Sequence, residues 1–132
     1  MGKKVLSVDD EAETREFVAT VLEENGYDPL VAVNGEEALQ IMQKEKPDLI
    51  IMDILMPKRS GINLYRELKK SPALRNIPVI VYSGIAKRTL LRAQTGLSEI
   101  SGEKVPDPEA YIEKPVSALQ MAGVIKRVLE TE

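Results

Sequence analysis

Asp48 to Gly61 reads DLIIMDILMPKRSG. Leu49, Ile50, Ile51 and Met52 follow one another with no polar alternation, the pattern of a strand covered on both faces. That run ends on a carboxylate, Asp53. A covered parallel strand delivers its last side chain to the carboxyl edge of a sheet, where open α/β folds keep their chemistry, so Asp53 is the first candidate for a working residue. Pro57 and Gly61 shape the loop that follows.

Around this stretch, the chain alternates strand and helix five times. Val5–Val8 is a short apolar strand running straight into Asp9 and Asp10. A helix over Glu11–Asn25 buries Phe17, Val18, Val21 and Leu22 and stops at Gly26, with Asp10 and Glu13 placed to cap its start. Pro29–Val33 is a second strand. Asn34 caps a helix through Lys44, with Ala38, Ile41 and Met42 facing inward. After the Asp53 loop, Ile62–Lys70 is helical through Leu64, Tyr65 and Leu68, and Ile77–Tyr82 forms a fourth strand ending at Ser83-Gly84. Lys87–Thr95 suits a helix stopped by Gly96. Gly102, Pro106 and Pro108 then forbid one long helix and leave a loop with a short turn at Leu97–Ile100. Ala110–Glu113 is a fifth strand, and Ser117–Glu130 a last helix with Leu119, Ala122, Ile125, Val128 and Leu129 as its apolar side. Helix-length connections between buried strands predict a parallel sheet with helices on both faces.

Composition narrows the chemistry. The 132 residues suit one domain, and 43% apolar with 4% aromatic residues predicts a core of Leu, Ile, Val, Ala and Met. Cysteine and histidine are both absent, which removes thiolate and imidazole chemistry and leaves only oxygen to hold a metal. The net charge of -3 gives no general electrostatic reason to bind nucleic acid. The opening MGKKVLSVDD is too short for a signal peptide and no apolar run reaches membrane-spanning length, so the expected location is cytoplasmic. The last helix closes near the end of the chain, so no separate effector domain is expected in it.

Four strands end in polar groups: Asp9 and Asp10, Asp53, Ser83, and Lys114 followed by Pro115. All can meet at one edge if the first and third strands are neighbours. Carboxylates so close repel unless a cation sits among them, and an all-oxygen set suits magnesium. Asp53 could serve as a ligand and also as a nucleophile toward phosphorus, forming an aspartyl phosphate. Lys114 and the Ser83 hydroxyl could then face the phosphoryl oxygens, with Gly84 leaving room beside Ser83. Tyr111, three residues before Lys114, is placed to turn that charge event into a packing change.

The segments VDD (Val8–Asp10), DILMPKRSG (Asp53–Gly61), SG (Ser83, Gly84) and YIEKP (Tyr111–Pro115), in this order and each at a strand end, resemble the receiver domain of two-component response regulators. The resemblance covers nearly the whole chain. It implies a flavodoxin-like, doubly wound (βα)5 sandwich with strand order 2-1-3-4-5. It also implies phosphorylation of Asp53 by a sensor histidine kinase, phosphotransfer protein or small phosphodonor, and Mg²⁺ held by Asp9, Asp10, Asp53 and the backbone carbonyl of Leu55. Ser83 and Tyr111 then correspond to the switch pair, Lys114 to the family lysine with a cis bond to Pro115. The face made by the fourth helix, fifth strand and fifth helix would meet a downstream protein target, as a monomer or a phosphorylation-dependent dimer, with neither nucleic acid nor membrane as partner. Such a protein catalyses its own phosphorylation and dephosphorylation and turns over no separate metabolite.

Two departures qualify the resemblance. Residues 1–132 read as one receiver domain, but the connection at about 86–109 is enlarged and lies beside the expected partner face. Leu55 and Ile85 are apolar where many members carry groups that orient attacking water, which predicts slow dephosphorylation. Competing readings fit less well. Asp9 and Asp10 would repel the phosphate of a flavodoxin-like cofactor, and a haloacid-dehalogenase-type phosphohydrolase needs an acid where Leu55 stands. A degenerate receiver that only binds a partner is the remaining alternative. Lys58, Arg59, Lys87 and Arg88 read as solvated surface.

Overall fold

The computed structural model describes residues 2–53, 61–84 and 107–130. Five strands, β1 (Lys4–Val8), β2 (Asp28–Ala32), β3 (Leu49–Met52), β4 (Val79–Ser83) and β5 (Ala110–Glu113), form one parallel sheet in the order β2-β1-β3-β4-β5. Helices α1 (Ala12–Glu24), α2 (Gly35–Lys44), α3 (Gly61–Lys70) and a C-terminal helix (Ala118–Glu130) cover it. Both the parallel three-layer class and the strand order agree with expectation. The expected helix at Lys87–Thr95 and turn at Leu97–Ile100 lie outside the described residues, as do Leu55, Pro57, Lys58, Arg59 and Ile85.

Strand pleat divides the core in two. Leu6 and Val8, Ile50 and Met52, and Val79 and Val81 join Ala38 and Met42 of α2 and Leu64, Tyr65 and Leu68 of α3. The intervening Val5, Leu49, Ile51, Ile80, Tyr82 and Ile112 join Val18, Val21 and Leu22 of α1 and Met121, Ile125 and Val128 of the C-terminal helix. Successive side chains leave opposite faces, so a strand covered on both sides must be apolar at every position. All four residues of β3 are accordingly buried. It is the middle strand of five.

Local signals set the helix ends. Asn34 accepts a hydrogen bond from the Glu37 N–H at 2.9 Å, and the Glu37 side chain accepts from the Val33 N–H, which caps α2 reciprocally. Gly26 has φ +81°, a left-handed conformation that favours glycine, at the point where α1 must turn into β2. Ser117 caps the C-terminal helix by accepting from the Gln120 N–H at 3.1 Å. At the entry to β5, Glu109 donates its N–H to the Val79 carbonyl while its carboxylate accepts the Val79 N–H at 2.7 Å.

One structural alternative falls away and one local expectation is corrected. Asp10 does not cap α1: the N-cap is Glu11, with no side-chain cap, and it is the Asp9 carboxylate that accepts the Glu11 N–H at 2.9 Å. β1 carries Asp9 inward, where it is buried, whereas Asp10 is exposed. On the C-terminal helix, Leu119 is 84% exposed, and the buried residues are Met121, Ile125, Val128 and Leu129. At 100° per residue, Leu119 lies about 200° round the helix from Met121, so the two cannot share the face that Ile125 and Val128 extend.

Candidate functional site

Pleat also decides which strand-end residues meet. Val5 and Ser7 on β1, Leu49 and Ile51 on β3, and Ile112 on β5 alternate with the opposite face, and the same alternation carried one step further puts Asp9, Asp53 and Lys114 on one side. Hydrogen bonds close the set. The Lys114 ammonium donates to Asp9 Oδ2 at 2.9 Å and to Asp53 Oδ2 at 2.9 Å. Backbone bonds hold the frame, from the Asp53 N–H to the Val8 carbonyl and from the Lys114 N–H to the Ser83 carbonyl. The Lys114–Pro115 peptide is cis.

Asp9, Asp10 and Asp53 each place one carboxylate oxygen within 4.8 Å of the other two. Asp9 and Asp53 are almost fully buried, and Asp10 is exposed at the mouth. Three such groups need a cation among them, and part of that charge comes from the chain itself through Lys114. The donor set is otherwise suited to a hard divalent ion, being all oxygen, clustered, and open to solvent on the Asp10 side.

Burial raises the pKa of Asp9 above the usual 3.8, against the pull of the Glu11 N–H and the Lys114 ammonium. Burial alone would lower Lys114, but its hydrogen bonds to the Asp53 and Asp9 carboxylates and their charges outweigh that and hold it well above the ordinary lysine value. The ammonium therefore stays charged. Tyr111 is half-buried against the α2 and α3 side of the core, and its hydroxyl faces the fully buried Ser83. Burial raises its pKa as well.

The structure thus brings together Asp9, Asp10, Asp53 and Lys114 at one edge, and Ser83 with Tyr111 beside them. Gly61 begins α3. Leu55 and Pro57 lie outside the described residues, and a Cβ at Gly84 would meet no described atom within 4 Å. Two contacts escape the sequence reading. Glu11 Oε1 accepts from the Lys114 ammonium at 3.1 Å, making a third carboxylate on that cation. Arg15 donates to the Asp9 backbone carbonyl at 2.9 Å, across the turn from β1 to α1. The run of three acids, Asp9-Asp10-Glu11, is the signal that could have marked Glu11; Arg15 sits one helical turn further on, where only its i+4 spacing from Glu11 hints at the contact.

The chain spans about half the length of the curated relatives it matches. It is 36% identical over 129 residues to the phosphate regulon transcriptional regulatory protein PhoB of Pseudomonas aeruginosa, covering 98% of this chain and 52% of that protein. It is also 36% identical over 127 residues to a probable transcriptional regulator, ycf27, of Porphyra purpurea, covering 96% and 47%. Among solved structures, the signal receiver domain of a signal transduction histidine kinase from Syntrophus aciditrophicus superposes with a TM-score of 0.83 at 33% identity, covering 98% and 92% of the two chains. The chemotaxis response regulator CheY4 of Vibrio cholerae shares the fold at TM-score 0.82 and 23% identity, covering 97% and 99%. Among the described residues, no helix is long and apolar enough to cross a membrane. The family model for the response regulator receiver domain matches residues 5–101, and the chain belongs to that family of two-component signalling domains.

Proposed function

We propose that Asp53 is the phosphoacceptor of a two-component phosphorelay, and that residues 1–132 work as one receiver domain. The observation that carries this is the buried Asp53 carboxylate, hydrogen-bonded at 2.9 Å by the Lys114 ammonium and clustered with Asp9 and Asp10. A buried nucleophile held by a permanent cation and two further acids has little use as core, and it matches the needs of phosphoryl transfer, in which positioning and charge neutralisation do most of the catalysis.

In the reaction, an Asp53 carboxylate oxygen attacks phosphorus. The new O–P bond forms as the P–N bond to the imidazole of a kinase or phosphotransfer phosphohistidine breaks, and the departing nitrogen keeps the electron pair and takes a proton from solvent. With a small acyl phosphate as donor, the P–O bond breaks instead. Asp9, Asp10, Asp53 and the Leu55 carbonyl would hold magnesium, which supplies charge to the phosphoryl oxygens when bound. Lys114 keeps one ammonium hydrogen on Asp53 and turns another from Asp9 to the transferred group. The Ser83 hydroxyl, already facing Tyr111, is drawn toward a phosphoryl oxygen, and Tyr111 follows it inward. Partner binding changes on the face made by the expected fourth helix, β5 and the C-terminal helix, beside the enlarged connection at about 86–109. Slow loss of the phosphoryl group follows from apolar Leu55 and Ile85.

The test is labelling with radioactive acetyl phosphate, with and without Mg²⁺. Wild type takes up label only with the metal, Asp9→Asn and Asp10→Asn lower the uptake by about tenfold or more, and Asp53→Asn takes up none. A wild-type protein that binds Mg²⁺ and stays unlabelled by acetyl phosphate and by phosphohistidine donors overturns the reading in favour of a phosphorylation-independent interaction module.

A further inference from the structure

β4 ends on two residues whose side chains leave opposite faces of the sheet. Ser83 turns to the side of α2 and α3, where it faces Tyr111. Tyr82 turns to the side of α1 and the C-terminal helix, is 5% exposed, and meets the Phe17 ring at 6.3 Å between centroids. Its cross-strand partner is Ile112, two residues before Lys114, so Tyr82 and Lys114 share a face. The Lys114 ammonium lies 5.4 Å from the Tyr82 ring centroid, and the Tyr82 hydroxyl reaches toward the backbone of Val116. One side chain thus faces both Lys114 and Val116, on either side of Pro115.

We propose that Tyr82 is a positioning residue for Lys114, its ring holding the ammonium at the site while its hydroxyl fixes the turn that follows. The proposal rests on the reading of Lys114 as a phosphoryl-binding group. A ring face attracts a cation through its quadrupole without taking up an N–H. The three ammonium hydrogens already have three oxygen acceptors, in Asp9, Asp53 and Glu11. When one of those acceptors gives way to a phosphoryl oxygen, the ring contact is untouched, so the ammonium can change partners without leaving its place. Neighbouring residues of one strand then serve separate tasks: Ser83 couples to the switch aromatic on one face, and Tyr82 steadies the lysine on the other.

Two readouts on the full chain test this. In metal-free protein, the Lys114 ε-methylene resonance, assigned by its loss in Lys114→Arg, is expected upfield of the other lysines through the ring current. The shift persists in Tyr82→Phe, which keeps the ring, and disappears in Tyr82→Leu. The labelling rate from acetyl phosphate with Mg²⁺ falls about fivefold in Tyr82→Leu and less in Tyr82→Phe, and Tyr82→Leu makes no further difference in a Lys114→Met background. An ordinary Lys114 resonance in wild type overturns the proposal, even should Tyr82→Leu fail to fold. So does an equal loss of rate from Tyr82→Leu in the Lys114→Met background. Absence of label in wild type sinks the phosphoacceptor reading instead, and the resonance alone then decides the placement of Lys114.

Discussion

Lys114 sets the charge balance of the site. Asp9 and Asp53 side chains are 3% and 6% exposed, and both lean on its ammonium. Removing a partner from a buried ion pair strands the charge left behind. Lys114→Met should therefore lose about 3 kcal/mol of stability in EDTA, and Mg²⁺ should raise its melting temperature more than it raises wild type's, because no ammonium competes for the carboxylates. Thermal unfolding with and without Mg²⁺ measures this, and an equal response in the two proteins would count against it. Glu11 differs in degree. Its side chain is 64% exposed, so Glu11→Gln should cost no more than about 0.5 kcal/mol in the same melts. Asp9 gives a pH signature of its own. Its pKa is raised in the folded protein, so its contribution to stability is full below the unfolded value of 3.8 and is lost as pH rises through the higher folded value. Urea unfolding of metal-free wild type and Asp9→Asn across that window should show wild type losing stability relative to the variant, by at most about 1.4 kcal/mol per pH unit.

Elements carry the next level. Met121 is fully buried and Leu119 almost fully exposed, although both are large, apolar and only two residues apart. Met121→Ala should cost about 2–4 kcal/mol in chemical denaturation, and Leu119→Ala under about 0.5. Comparable losses would show that the helix docks through another face. The same helix marks the limit of sequence reading. Its existence and span follow from periodicity, but Leu119 and Met121 compete for the inward face, and the choice is made by tertiary packing against β5 and α1 rather than by any local signal. Strands were easier. The unbroken apolar runs at Leu49–Met52 and Val79–Tyr82 admit few readings besides a sheet covered on both faces, and two of the four polar strand ends, Asp53 and Ser83, follow from those runs. Glu11 and Tyr82 were harder to see, because one looks like a helix start and the other like core until strand pairing puts both beside Lys114.

At the scale of the whole molecule, the sheet puts the residues proposed to bind and those proposed to report on different faces. Its carboxyl edge gathers Asp9, Asp53 and Lys114 toward α1 and the C-terminal helix, with Asp10 exposed beside them, while Ser83 and Tyr111 lie on the side of α2 and α3. A phosphoryl group at Asp53 would touch both faces from one point. The convergence at one edge could be anticipated from spacing once the first and third strands were taken as neighbours; the division between faces emerges only from the pleat and register of the paired strands. The central claim is that Asp53 receives the phosphoryl group, and chemical trapping tests it directly. The protein is incubated with acetyl phosphate and Mg²⁺, reduced with borohydride, which converts an aspartyl phosphate to homoserine, and digested for peptide mass spectrometry. Homoserine at position 53, dependent on Mg²⁺ and absent at Asp9 and Asp10, is the predicted result; an unmodified Asp53, or conversion at another aspartate, would contradict it.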